Sequence, residues 1–395
     1  MRLAAAARWI SGIALVVLSI LAIRAGLPRM ADGGLWDFGS FVESGRAARA
    51  GSNPYGVYPL TLHVQLPGFE SWNPNLNPPI SALIFQLFDV ADPRAVLRVW
   101  RWISILFYGA AVLLLLRRFQ GPQAPVIAVW AFALAGFWDT LLLGQIYLPL
   151  VFATVLAWLL LEREESLWAG VLIGFVVAIK PNFLVWPALL FLSGHRPVAL
   201  AAAGTAAVIS AVPLAVYGPE IYHQWLELVV SDRERAFFLT NASFAGLAAR
   251  AGVPALGIFL GLGLLAGLAA WAYWRRPNVV SVSGMALLAA LLASPLGWVH
   301  YTLFLLPVLL THWHRPAIRV VALLLIIPVP FVIDQFTKTT WIQFTIGSVY
   351  AWALVLCLAD LIAVEWRQNR QDETENEASG RSSLLSRIRK SPPAA

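Results

Sequence analysis

A few polar positions stand out in an otherwise strongly apolar chain, because their side chains can move a proton, hold an anion or fix a hydroxyl. Asp37 follows the first apolar run closely and sits just before Phe38, Phe41 and Val42. Its carboxylate can serve as a general base or start a helix as its N-cap; Asp32 is the fallback carboxylate. Lys180 ends the apolar run Val171 to Ile179 immediately before Pro181, a place where an ammonium either snorkels to the interface or binds an anion such as phosphate. Gln145 beside Gly144 can hydrogen-bond a hydroxyl or cap a helix. His300, two residues after Trp298, is a packing residue or a proton-bearing group. The run Asp232-Arg233-Glu234-Arg235 reads as a self-paired solvated face, with an arginine contact to a phosphate as the functional alternative. There is no Asp-x-Asp, no phosphate-cradling glycine loop and no His and carboxylate grouping at metal-ligand spacing, so neither a metal nor a cofactor is expected.

The elements that must position these groups are set by composition. Of 395 residues, 59% are hydrophobic and only 12% charged, against the roughly 25% charged of a soluble domain. A water-soluble fold is excluded. A helical span takes about 20 apolar residues to cross roughly 30 Å of hydrocarbon, which gives the chain room for about a dozen. The expectation is an all-α polytopic transmembrane bundle of about 12 spans, with residues 1–366 as the membrane domain and 367–395 as a charged, disordered cytoplasmic tail. The first span begins near Trp9 and is read as uncleaved, since cleavage would separate it from the polar loop that follows. That first external loop, residues 25–95, is expected to carry interfacial helices. One of them, from Pro78 to Val90, is too short to cross and is expected to lie along the outer surface, with proline at its first turn. The single cysteine, Cys357, excludes an intrachain disulfide or thiolate cluster.

Charge then orients the bundle. With alternating spans, Arg117, Arg118, Arg163, Arg196, Arg275, Arg276, Arg315 and the basic tail all fall on the cytoplasmic side. The net charge of +7 is thus mainly an insertion signal, and a nucleic-acid partner is not expected. The polar strings left over, including Asn73-Pro74-Asn75-Leu76-Asn77-Pro78-Pro79, Asp139, Gly144-Gln145, Lys180-Pro181-Asn182 and Ser294 to Tyr301, collect at helix ends on the opposite face. Such asymmetry favours an enzyme over a carrier, whose sites lie near the midplane on broken helices repeated in two halves. A multi-span lipid or solute transporter is the alternative, as is a ligase or polymerase of lipid-linked glycans.

In order, an Asp beyond the first span, Asn53-Pro54-Tyr55, Asn77-Pro78-Pro79, Gly144-Gln145, Lys180-Pro181 and Ser294-Pro295 followed by Trp298-Val299-His300 resemble glycosyltransferase family 87. These are polytopic transferases of the C superfamily fold, similar to polyprenol-phosphate-mannose-dependent mannosyltransferases. The resemblance covers roughly Trp9 to Leu310. The chain departs from it at Asn77, where family members usually carry Tyr, and at Tyr147, where Gly-Gln-x-Asn is usual.

The resemblance implies an inverting hexosyltransferase, most simply a mannosyltransferase, that works at the outer face of the plasma membrane. There it would use a polyprenyl-phosphate sugar as donor and a lipid or glycan as acceptor. Inversion needs one base to take the acceptor hydroxyl proton and donor groups to stabilise the departing phosphate; no second carboxylate nucleophile is required. Asp37 is assigned as the base and His300 as the donor to the leaving phosphate or an aid to the acceptor. Lys180, Gln145, Asn77, Arg233, Arg235 and Trp298 are assigned to substrate binding.

Overall fold

The computed structural model describes residues 2–31, 33–67, 69–89, 92–231 and 234–367. Helices dominate it, in chain order α1 (Arg2–Gly26), α2 (Trp36–Arg49), α3 (Pro79–Gln86), α4 (Pro93–Arg118), α5 (Ala124–Ala131), α6 (Ala135–Leu143), α7 (Tyr147–Glu162), α8 (Ser166–Ile179), α9 (Val185–Leu192), α10 (Arg196–Tyr217), α11 (Glu220–Ser231), α12 (Phe244–Arg250), α13 (Pro254–Arg275) and α14 (Val279–Leu292). Shorter helices follow, and a last long one closes the described chain within Thr340–Arg367. This is the all-α polytopic membrane architecture that the composition requires.

Among the described residues six helical segments are long and apolar enough to cross a membrane, and a bent pair, Pro316–Leu324 with Val329–Thr337, makes a seventh if it counts as one span. Five further apolar helices are shorter, among them α7, α8 and α14. The apolar segments read from sequence are therefore present as helices, but many are too short to span alone. Burial accounts for this: Val282 to Leu292 of α14 are all buried, so that helix is sheathed by protein and has no need to match the hydrocarbon thickness. Close packing is made possible by small residues. Gly170 and Gly174, one turn apart on α8, meet the backbone of α10 at Val198 and Ala202 so tightly that any Cβ would collide.

The first loop folds into more than helices. β1 (Leu62–Leu66) and β2 (Phe69–Asn73) form an antiparallel hairpin in which Leu62 pairs with Asn73 and Leu66 with Phe69. Period-two alternation sends Phe69 and Asn73 to one face and Glu70 and Trp72 to the other; Phe69 packs on Phe238 while Trp72 stacks on His63 at 4.2 Å. Helix α3 does begin with proline, at Pro79, but it covers only Pro79–Gln86 and buries Ile80, Ala82 and Phe85. It packs against α2, where Gly45 touches the Phe85 backbone. Asp92 then caps α4, accepting from the Arg94 and Ala95 amides with Pro93 in the first turn.

Candidate active site

Asp37 lies in the first turn of α2 and is buried. The N-cap position belongs to Leu35, which makes no side-chain cap, so the capping alternative for Asp37 is overturned. Its oxygens are taken by two side chains: Asn73 Nδ2 donates to Oδ1 at 2.6 Å, and Gln145 Nε2 donates to Oδ2. Burial pushes the carboxyl up to about 6, against the pull of these two bonds and of the Arg235 charge. The preceding residue, Trp36, takes a left-handed backbone at φ 47°, a conformation disfavoured for a bulky residue; it starts α2 with Asp37 turned into the protein.

Gln145 reaches Asp37 because α6 ends abruptly. Gly144 closes it in the left-handed conformation at φ 69°. The buried carbonyls of Leu141 and Leu142 then receive Arg101 from α4, at 2.8 and 3.0 Å, and Trp100 Nε1 donates to the Gln145 carbonyl at 3.3 Å. The cap of α7 is Ile146, with no side-chain cap, so Gln145 is a partner of the carboxylate and not a capping residue. Its own Oε1 is buried and has no hydrogen-bond partner among the described residues.

Asn73 links the Asp37 carboxylate to a cation. Its Oδ1 accepts from Arg235 Nη1, and Arg235 Nη2 donates to the Trp72 carbonyl. Arg235 is buried at 6% exposure, which overturns the solvated-face reading for this residue. Arg233 and Asp32 lie outside the described residues.

Lys180 is where α8 must stop, since a residue before proline is driven to extended geometry; its φ and ψ are −136° and 87°. The ammonium is buried, not snorkelled. Its three hydrogens go to Asn77 Oδ1, the Tyr147 hydroxyl and, at 3.4 Å, the Tyr301 hydroxyl, and it lies 4.4 Å from the Tyr147 ring centroid. The two positions at which the chain departs from the resembled pattern, Asn77 and Tyr147, thus meet on one ammonium.

His300 is the second residue of the 3₁₀ turn Val299–Leu305 and is 3% exposed. Its Nδ1 lies 3.2 Å from Asp139 Oδ2, its ring stacks on Tyr147 with centroids 4.3 Å apart, and its Nε2 is buried without a partner among the described residues. Trp298 is half-buried, 6.4 Å from the His300 ring, and its backbone bridges to Asn241.

The site-assigned residues within the described chain fall into two hydrogen-bonded groups, with Trp298 beside His300, and the groups adjoin closely enough for Asp37 to feel the charge of Asp139 and Lys180 that of Asp37. One is Arg235, Asn73, Asp37 and Gln145; the other is Asn77, Lys180, Tyr147, His300 and Asp139. Asn73, Asp139, Tyr147 and Tyr301 are not among the residues that the sequence reading assigns to the site. Each stands beside an assigned residue in a polar string, but spacing alone does not tell which neighbour faces inward.

A model of glycosyltransferase family 87 matches residues 75–295. It covers Asn77, Gln145, Lys180 and Arg235, and its limits fall between Asp37 and His300. Over 357 residues the chain is 27% identical to a polyprenol-phosphate-mannose-dependent alpha-(1-2)-phosphatidylinositol pentamannoside mannosyltransferase from Mycolicibacterium smegmatis, covering 81% of this chain and 82% of that relative. No solved structure matches the chain significantly.

Proposed function

Because the chain belongs to glycosyltransferase family 87, and is thus a polyprenyl-phosphate-sugar-dependent transferase of the membrane, we propose that it moves mannose with inversion, at the outer face of the plasma membrane, to a lipid or glycan acceptor. Mannose is favoured by the donor named for the M. smegmatis relative. The outer face is favoured by the arginine distribution and by the donor itself, which brings an activated sugar to a side that lacks a nucleotide-sugar pool.

The observation that carries the mechanism is the buried Asp37 carboxylate, held by Asn73 and Gln145. In the proposed reaction Asp37 takes the proton of the acceptor hydroxyl as its oxygen bonds to the sugar anomeric carbon. The bond from that carbon to the phosphate oxygen breaks, and its electron pair leaves with the polyprenyl phosphate. Gln145, with a free Oε1, lies beside the base to receive a substrate hydroxyl. Lys180 supplies positive charge next to the departing phosphate, and Arg235 holds Asn73 on the base. Asn77 contributes by fixing Lys180, and Trp298 by forming the wall behind His300.

The test is transfer by purified protein given radiolabelled polyprenyl-phosphate mannose and membrane lipids. Single labelled mannose units should appear on a lipid or glycan product, with anomeric configuration opposite to the donor. Retained configuration, or movement only of preassembled glycans, would overturn the reading. Labelling of single cysteines placed near Asn77, Lys180 and His300 in intact cells should give one common face, the outer one.

A further inference from the structure

We propose that Asp139 is a positioning residue that, through His300, aims an N–H at the donor phosphate as it leaves. The inference deepens the function proposed above and rests on it.

Asp139 and His300 come from distant parts of the chain and are held together by backbone contact. Gly136, one turn before Asp139 on α6, lies against the 3₁₀ turn so closely that a Cβ there would be 2.7 Å from the Val299 carbonyl oxygen and 3.0 Å from the His300 Cα. Residues three apart share a helix face, so this approach delivers Asp139 Oδ2 to within 3.2 Å of His300 Nδ1. The side chains of both residues are more than nine-tenths buried. Tyr147 stacks flat on the imidazole at 22° and removes the remaining freedom of the ring.

A carboxylate can only accept, so the hydrogen of this pair sits on Nδ1. That leaves Nε2 to meet the substrate, and Nε2 is the nitrogen that is buried without a partner among the described residues. The other cation at this place, Lys180, spends its three hydrogens on Asn77, Tyr147 and Tyr301. A leaving phosphate that gains a full negative charge needs a donor, and His300 is the group poised to give one. With the phosphate in place the ring lies between two anions, and only the imidazolium presents N–H to both. The groups facing the ring are Asp139 from α6, Tyr147 from α7, Lys180 from the end of α8, and Tyr301 beside it on the turn. Burial opposes a charge on this ring and the Asp139 carboxylate favours it; the anionic donor tips the balance, so Nε2 takes up a proton from water as the donor binds. His300 then keeps that proton, stabilises charge by a hydrogen bond and does not replace Asp37 as base.

The experiment compares Asp139→Asn, Asp139→Ala, His300→Ala and the double variant Asp139→Asn/His300→Ala in the mannose-transfer assay, with Asp37→Asn as reference. Asp139→Asn keeps the shape and an acceptor for Nδ1 but loses the charge. It should lower kcat by about 10- to 100-fold, the range known for carboxylates that orient metal-bound histidines, with KM nearly unchanged. In the His300→Ala background it should cost nothing further, because its effect passes through the ring. Asp139→Ala should fall at least as far.

Activity of Asp139→Asn near wild type would overturn the proposal, as would an equal loss with and without His300, or a loss confined to KM. If wild type itself transfers no mannose, the function reading fails instead. If wild type is active and Asp37→Asn is dead while Asp139→Asn is unaffected, only this inference falls.

Discussion

Gln145 donates its amide hydrogen to Asp37 across 108 residues of chain, joining the end of α6 to the first turn of α2. With Asn73 on the other oxygen, it fixes the carboxylate from both sides while leaving the group acceptor-only and available to a hydroxyl. The proposed base is thus held by three separate elements, and its proposed chemistry depends on their staying together.

Replacing the carboxylate by an amide tests the base directly. Asp37→Asn should reduce kcat by about 10²- to 10⁴-fold, the usual worth of a positioned base, while yield and thermal unfolding of the purified protein stay near wild type. Steady-state transfer kinetics measure the first and scanning fluorimetry the second; a variant that folds and turns over normally would remove Asp37 from the mechanism.

The pH profile should carry the signature of a raised carboxyl. In the proposed mechanism Asp37 works ionised, and burial brings it up to about 6 from 3.8, so kcat/KM should be half-maximal near that value and fall about tenfold per unit below it. Stability should move the opposite way. The folded state holds this proton more tightly than the unfolded chain, so the contribution is fully present below about 4 and is lost as pH rises through about 6.

Removing Gln145 takes away the larger of the two side-chain bonds that pull the Asp37 value down. In Gln145→Ala the acid limb should shift upward from about 6, so the loss of activity relative to wild type is greater at pH 6 than at pH 8. A pH-independent loss would mean that Gln145 acts on substrate alone.

Tyr147→Phe keeps the ring over His300 and under the Lys180 ammonium but deletes a hydroxyl to which that ammonium donates. A buried donor left short of an acceptor costs about 1–3 kcal/mol. Thermal unfolding should register this as a lowered midpoint, and Lys180→Met made in the Tyr147→Phe background should cost less than in wild type.

Gly136→Ala adds one methyl where the backbone of the His300 turn already touches α6. The expected result is a folded protein with weakened transfer, because the two segments must part and separate Asp139 from His300. Unchanged kinetics would show that the turn can give way without cost.

The sequence by itself determined the class of molecule: an apolar content that only a lipid-embedded helical bundle can accommodate, and an ordered set of polar strings that carry the family resemblance; its arginine distribution supports the proposed orientation. Asp37, Lys180 and His300 were legible because a charged or titratable group in such surroundings demands a reason. The partners were not. Which side chain faces which depends on helix ends, on the left-handed turn at Gly144, on the hairpin that turns Asn73 inward, and on the contact at Gly136. Tertiary structure alone decided that Lys180 meets Asn77 and Tyr147, that Arg235 turns inward to Asn73, and that His300 is held by Asp139. Hydropathy measures how far a residue prefers lipid to water; it carries no information about the directions in which buried polar groups find one another, and those directions make the site.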